Sequence, residues 1–284
     1  MLDSYSIGRD ALPLAERSDA DLPGHWLLAR LGKRVLRPGG LELTTRLLDA
    51  ARIEGADVVE LGPGLGRTAR DIVALRPRTY AGVDDTAAAT AAVREIVAPV
   101  DGKVVVADAA ETGLPSASAD VVVGEAMLTM QGEKAKRAIV AEAFRVLRPG
   151  GRYAIHELGL TPDAMPQETK DAIRRDMARA IKVNARPLTP AEWTHLLTDA
   201  GFEIVSVDRA PMTLLNPARV LADEGLVGAL RIVGNLIRRG AARRRVIGMR
   251  RTFHRYRRSL TAVAVVGVVP VADHPTVGLV HRNR

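Results

Sequence analysis

Three carboxylates recur in this chain at equal intervals: Glu60, Asp84 and Asp108, each 24 residues after the last. Each closes an apolar run, "DVVE", "AGVD" and "KVVVAD". Between the first two lies "ELGPGLGRTAR" at 60–70, in which Gly62, Gly64 and Gly66 alternate. Glycine adopts turns closed to other residues and lets a ligand approach the backbone, so this stretch reads as a tight strand-to-helix turn. A dinucleotide-binding turn of the form G-x-G-x-x-G would need a small residue at position 67. Arg67 stands there instead and would spoil close packing of helix on strand.

The elements that must carry these acids follow from hydrophobic patterning. Strands are predicted at 57–61, 79–84, 103–108, 119–124 and 151–156, and helices at 65–75, 86–98 and 132–146. Strands alternating with helices predict a parallel sheet covered on both faces, and unbroken apolar runs such as "DVVVG" suit doubly covered strands. In such sheets ligands bind outside the carboxyl ends of the strands, so the three acids face one crevice. They would repel a phosphate-rich ligand. They would hold one that carries an ammonium group, a ribose diol and an exocyclic amine. S-adenosylmethionine has all three, and a positive sulfonium besides.

The segment resembles the class I S-adenosylmethionine-dependent methyltransferases of the small-molecule kind, the type 11 group that includes quinone-biosynthesis enzymes. Residues 60–66 match that family's acid-x-G-x-G-x-G motif, and "FRVLRPGGRYAIHE" resembles its approach to the fifth strand. The resemblance covers about 41–210, with 261–269 as the family's antiparallel last strand. It implies an α/β fold: a doubly wound, seven-stranded, mainly parallel sheet with that antiparallel strand. This chain adds N-terminal helices and, where the family has a short hairpin link, a helical insertion before the last strand. It also implies S-adenosyl-L-methionine as cofactor. Gly62, Gly64 and Gly66 would admit the methionine part, Glu60 would orient its amino group, and Asp84 would take the ribose hydroxyls. Asp108 would accept from the adenine amino group, with Ala109 beside the ring. Glu125 lies where the family contacts cofactor or substrate, and "LGKRVLRPGGLELT" at 31–44 would close the site through Arg37 and the Gly39–Gly40 turn. Asp85 departs from the pattern, since an apolar residue usually follows the ribose acid; either it points outward or it exchanges roles with Asp84.

Methyl transfer from a sulfonium needs alignment, exclusion of water and, for a protonated acceptor, removal of a proton. His156 and Glu157 in "AIHELGL" are the catalytic candidates, because histidine titrates near neutrality. His25 and Trp26 could cover the pocket from the N-terminal side. No metal site is expected, and the absence of cysteine excludes disulfides, thiolate metal centres and cysteine nucleophiles. The place after the fourth strand reads "VGEAMLTM", without the Asn/Asp-Pro-Pro-aromatic motif of enzymes that methylate base amino groups.

The remaining features concern partners. The net charge is +8, yet residues 217–258 carry 12 arginines against Asp223 and Glu224, so the rest of the chain is slightly acidic. In that segment Leu226, Val227, Leu230, Val233 and Ile237 share a helical face, and Val246, Met249, Phe253 and Tyr256 form a narrower stripe. Three readings stand: a cap over the acceptor pocket with its apolar side inward, a cap that also touches an anionic membrane surface, or a nucleic-acid contact. The expected organisation is an N-terminal helical cap at 1–40 and a methyltransferase domain at 41–284 with helical insertions at about 161–186 and 216–258. "LTPAEWTHLLTDAGF" at 188–202 predicts a helix capped by Thr189, Pro190 and Glu192. The start has no apolar core of a signal peptide, and no apolar run approaches the ~20 residues of a membrane span. A cytoplasmic enzyme acting on a small, lipophilic acceptor is expected. An RNA methyltransferase gripping phosphates with 238–258, or a non-catalytic cofactor-binding protein, is the alternative.

Overall fold

Val58, Val121 and Val123 face one layer of helices, while their chain neighbours Val59 and Val122 face another. That double burial is why these strands lack polar alternation. The computed structural model describes Leu14 and residues 16–271, so the expectations for the first thirteen residues lie outside the described residues. Seven strands form one sheet in the order β3-β2-β1-β4-β5-β7-β6. They are β1 (Asp57–Leu61), β2 (Thr79–Asp84), β3 (Lys103–Val106), β4 (Ala119–Glu125), β5 (Leu147–Leu160), β6 (Glu203–Pro211) and β7 (Leu260–Val268). Strands β1 to β5 pair in parallel, and β7 lies antiparallel between β5 and β6. The strand order reverses between β1 and β4, which places the fold's ligand crevice at their carboxyl ends.

One face is covered by α2 (Gly40–Ala51), α3 (Arg67–Ala74) and α4 (Ala87–Val97), through Leu43, Leu47, Ile72, Val93 and Val97. The other is covered by α5 (Glu133–Val146) and α7 (Pro190–Thr198), through Ile139, Val140, Trp193 and Leu197. At α7 the expected capping box is present: the Glu192 amide donates to Thr189 Oγ1 at 3.3 Å, and the Thr189 amide donates to Glu192 Oε2 at 2.8 Å. Four further helices gather above the strand tips: α1 (Gly24–Arg30), α6 (Gln167–Ile181), α8 (Pro217–Arg238) and α9 (Gly240–Arg255). Leu27, Leu28, Ala242 and Met249 share one apolar cluster there, with Ile181 against it.

Two expectations need correction. The third strand stops at Val106 rather than 108, so Asp108 lies in the turn beyond it. That strand is also the sheet's edge and is not doubly covered, with Val105 and Val106 exposed.

Gly66 has a different task from its neighbours. Its φ is +73°, and a Cβ there would sit 2.4 Å from Ile96 Cδ1 on α4. It is the point where α3 starts close against α4. Gly66→Ala should therefore lower stability by about 2 kcal/mol or more, from overpacking and a left-handed backbone together. Denaturant unfolding of the ligand-free chain measures it.

Candidate active site

A cavity of about 460 Å³ opens above the tips of β1, β2 and β4. Glu60, Gly62, Gly64, Asp84, Asp85, Asp108, Ala109, Glu125 and Arg37 all line it. Gly66 does not line it, for the packing reason given above. The turn after β1 is built on positive φ at Gly62 (65°) and Gly64 (54°), which only glycine takes without strain. A Cβ on Gly62 would stand 3.4 Å from Met127 Cβ, another lining residue, so a side chain there would fill the cradle.

Glu60 ends inside the protein. Tyr80 Oη donates to its Oε2 at 2.6 Å, while Oε1 has no hydrogen bond among the described residues. Burial pushes the Glu60 carboxyl up to about 8, against the Tyr80 hydrogen bond, and the nearby Glu125 charge adds to the rise. Asp84 and Asp85 have different surroundings. Asp84 is buried, with Oδ2 accepting from the Gly64 amide at 3.1 Å and Oδ1 from the Thr86 amide at 2.9 Å; Asp85 is exposed and takes the Thr86 hydroxyl at 2.9 Å. Desolvation raises the Asp84 carboxyl above its ordinary value, partly offset by those two amides. Asp108 is exposed, and its Oδ1 accepts from the Ala110 amide at 2.8 Å, which shapes the turn carrying Ala109.

Glu125 is the hub of a buried polar network. Its Oε1 accepts from Thr44 Oγ1 at 2.5 Å and from His156 Nδ1 at 2.7 Å; its Oε2 accepts from Arg37 Nη1 at 2.5 Å and from the Thr68 hydroxyl. Arg37 also donates from Nη2 to Asp71 Oδ2 at 2.9 Å. Burial alone would raise the Glu125 carboxyl, but the Arg37 guanidinium and the His156 hydrogen bond hold it far below the usual carboxylate range.

The two catalytic candidates sit elsewhere than expected. His156 is 0 % exposed and does not line the cavity. The Gly39 amide donates to its Nε2 at 3.2 Å, so the ring proton is on Nδ1 and points at Glu125. Glu157 is also 0 % exposed and away from the cavity. It accepts the amides of Met127, Leu128 and Thr129 at 3.0, 2.8 and 2.9 Å and the Thr129 hydroxyl at 2.6 Å. It caps the short turn Leu128–Met130 after β4. The reason is register: β5 continues to Leu160, so 156 and 157 lie inside a paired strand rather than at its tip.

The second wall of the cavity is apolar and comes from the helices above: Trp26 and Leu28 on α1, Met177 and Ile181 on α6, Met249 and Phe253 on α9. His25 joins it, its ring tilted 55° to that of Trp26 with 4.7 Å between centroids. Burial pushes the His25 imidazole down to about 4, so it is neutral at pH 7. The stripe at 246–256 foreshadowed Met249 and Phe253. Thr44, Thr68, Asp71 and Tyr80 were not foreshadowed; their only sequence trace is a polar residue on a helix or strand that otherwise packs inward.

Comparisons with known proteins agree with this fold. The methyltransferase-domain family matches residues 59–155. An uncharacterized protein of Haemophilus influenzae is 34% identical over 223 residues, covering 77% of this chain and 87% of that protein. A protein of Mycolicibacterium smegmatis, named as a probable S-adenosylmethionine-dependent methyltransferase, is 36% identical over 158 residues, and the match spans 55% of each chain. Among solved structures, an S-adenosylmethionine-dependent methyltransferase from Thiobacillus denitrificans in complex with S-adenosyl-L-homocysteine superposes with a TM-score of 0.62, at 17% identity, over 88% of this chain and 99% of its own. The chain belongs to the class I S-adenosylmethionine-dependent methyltransferases. It is an enzyme, and S-adenosylmethionine is its cofactor.

Proposed function

We propose that the enzyme methylates a small, lipophilic acceptor. The observation that carries this reading is the pairing, within one cavity, of acid-bearing strand tips with the wall of Trp26, Leu28, Met177, Ile181, Met249 and Phe253. In this reading Gly62 and Gly64 take the methionine part of the cofactor, Glu60 its ammonium group and Asp84 its ribose hydroxyls. Asp108 and Ala109 take the adenine. Glu125 has all its oxygens occupied, so it acts by fixing Arg37 in the wall. The cofactor supplies an already activated methyl group. What remains for the protein is to desolvate and align the acceptor, and the neutral His25 imidazole offers it a hydrogen-bond acceptor. A lipophilic acceptor partitions into bilayers, so this reading also places the enzyme's work at a membrane surface. Among the described residues no helix is long and apolar enough to cross one.

The Glu60 assignment has a pH signature. A ligand ammonium requires the carboxylate, yet the ligand-free group is held up at about 8. Affinity for S-adenosylhomocysteine should therefore rise with pH towards that value and level off above it, with proton release on binding below it. Calorimetry in buffers of different ionisation enthalpy reads the proton, and Glu60→Gln should abolish its release.

The acceptor class is tested by incubating the enzyme with methyl-labelled cofactor and a cell extract, then partitioning the products. Label in the organic phase that disappears in Asp84→Ala supports the reading. Label confined to water-soluble metabolites, or to RNA, overturns it.

A further inference from the structure

Helix α8 is mounted the wrong way round for a simple cap. Glu224 and Asn235 point inward, beside Ile232 and Leu236. The Glu224 carboxylate, fully enclosed, accepts from the amides of Arg34 at 2.8 Å and Val35 at 2.9 Å, and Asn235 Nδ2 donates to the Leu31 carbonyl at 3.0 Å. These bonds fix the helix's rotation. Beyond the break at Gly225 (φ 71°), Leu226, Val227, Leu230, Val233 and Ile237 turn outward and are 66%, 72%, 62%, 51% and 68% exposed. The reading of that stripe as the inward side of a cap is therefore corrected for α8, while α9 does present Met249 and Phe253 to the cavity.

The charge around this face has one sign. Both acids of the segment are enclosed, Asp223 by Lys33 and Arg219, Glu224 by Lys33 and Arg34. At 100° per residue, Arg231 and Arg238 border the stripe, and both are exposed. The next helix adds exposed Arg243, Arg244, Arg250 and Arg251. None of these six makes an ion pair among the described residues.

We propose that the outward face of α8 docks on the surface of an anionic phospholipid bilayer, its aliphatic stripe entering the interface and the arginines meeting lipid phosphates. Aliphatic side chains in water beside uncompensated arginines are the composition of a helix that lies in an interfacial plane. A second copy of the chain would set like-charged rims against each other across a two-fold axis. An RNA would find no aromatic ring in the stripe to stack on and would leave the aliphatics in water. The docking rests on this face alone and stands whether or not the acceptor is lipophilic.

The test is flotation of the full chain with phosphatidylcholine vesicles, with and without phosphatidylglycerol, at low and raised salt. The wild type should partition about tenfold more onto the anionic vesicles, and less as salt rises. Leu226→Glu with Leu230→Glu should lose at least about tenfold of that binding. Arg231→Ser with Arg238→Ser should reduce the anionic preference and the salt dependence. All variants should keep the wild-type affinity for S-adenosylhomocysteine in calorimetry, which shows them folded. Equal partition onto both vesicle types, or undiminished binding by the double glutamate variant, overturns the proposal. So does a wild-type dimer in sedimentation that the same variant makes monomeric, or a structured RNA that binds through these arginines while anionic vesicles do not.

Discussion

Asp84→Ala should weaken S-adenosylhomocysteine binding by about 100-fold, near 2.8 kcal/mol, and leave thermal stability almost unchanged. The magnitude follows from what the carboxylate is poised to do. It is already oriented by the Gly64 and Thr86 amides, so a ligand diol meets a fixed, charged acceptor in a desolvated site. Stability should hold because both amides line or adjoin the cavity, where water can replace the lost oxygens. The group is also desolvated when ligand-free, so its charge stabilises the bound state and not the fold. Here the sign of the linkage is explicit: a carboxyl raised above its unfolded value takes stability away as pH rises through the window above that value. Asp84→Asn should therefore bind poorly yet unfold no earlier than wild type at pH 7. Calorimetry and a thermal melt on the same preparation check both halves.

Glu125→Ala should do the reverse, costing about 3–5 kcal/mol of stability. Four donors converge on this carboxylate, and removing it leaves the buried Arg37 guanidinium with Asp71 alone to balance it. His156 would lose the partner that receives its Nδ1 proton. The melting temperature should fall by roughly 10 °C, at the usual few degrees per kcal/mol for a chain of this size. The acid limb carries the same signature. A carboxyl held below its unfolded value contributes stability that is present above pH ~4.5 and is lost as pH falls further. Glu125→Gln should flatten that limb in part. Asp57 and Glu142, also held low by arginine partners, would keep the remainder.

The parts of the molecule legible in its sequence are those that rest on local rules. Apolar runs located the five parallel strands, because burial on both faces leaves the inner ones no other composition. The Thr189–Glu192 box located α7, because its chemistry is complete within four residues. The recurring acids located the crevice, since each must stand near a strand tip. What escaped depends on distant partners. His156 looks catalytic in isolation; only the pairing of β5 with β7 shows that it lies inside the sheet with both nitrogens engaged. Gly66 looks like its two neighbours, until Ile96 on another helix is seen to need its missing side chain. The α8 stripe has the period of a buried face, and periodicity carries no sign; Glu224 and Asn235, bonding to residues 190 and 204 positions away, turn it outward.

The cavity's two walls come from different stretches of chain. The acid-bearing tips belong to 60–125, inside the shared domain, whereas Trp26, Met177, Ile181, Met249 and Phe253 come from helices outside or between those strands. Substitutions in the upper helices leave the lower lattice of carboxylates and glycines untouched. On the proposed reading such a scaffold acquires a new acceptor by exchanging its roof while keeping its floor, so selection on substrate choice and selection on methyl supply act on separable parts of one gene product.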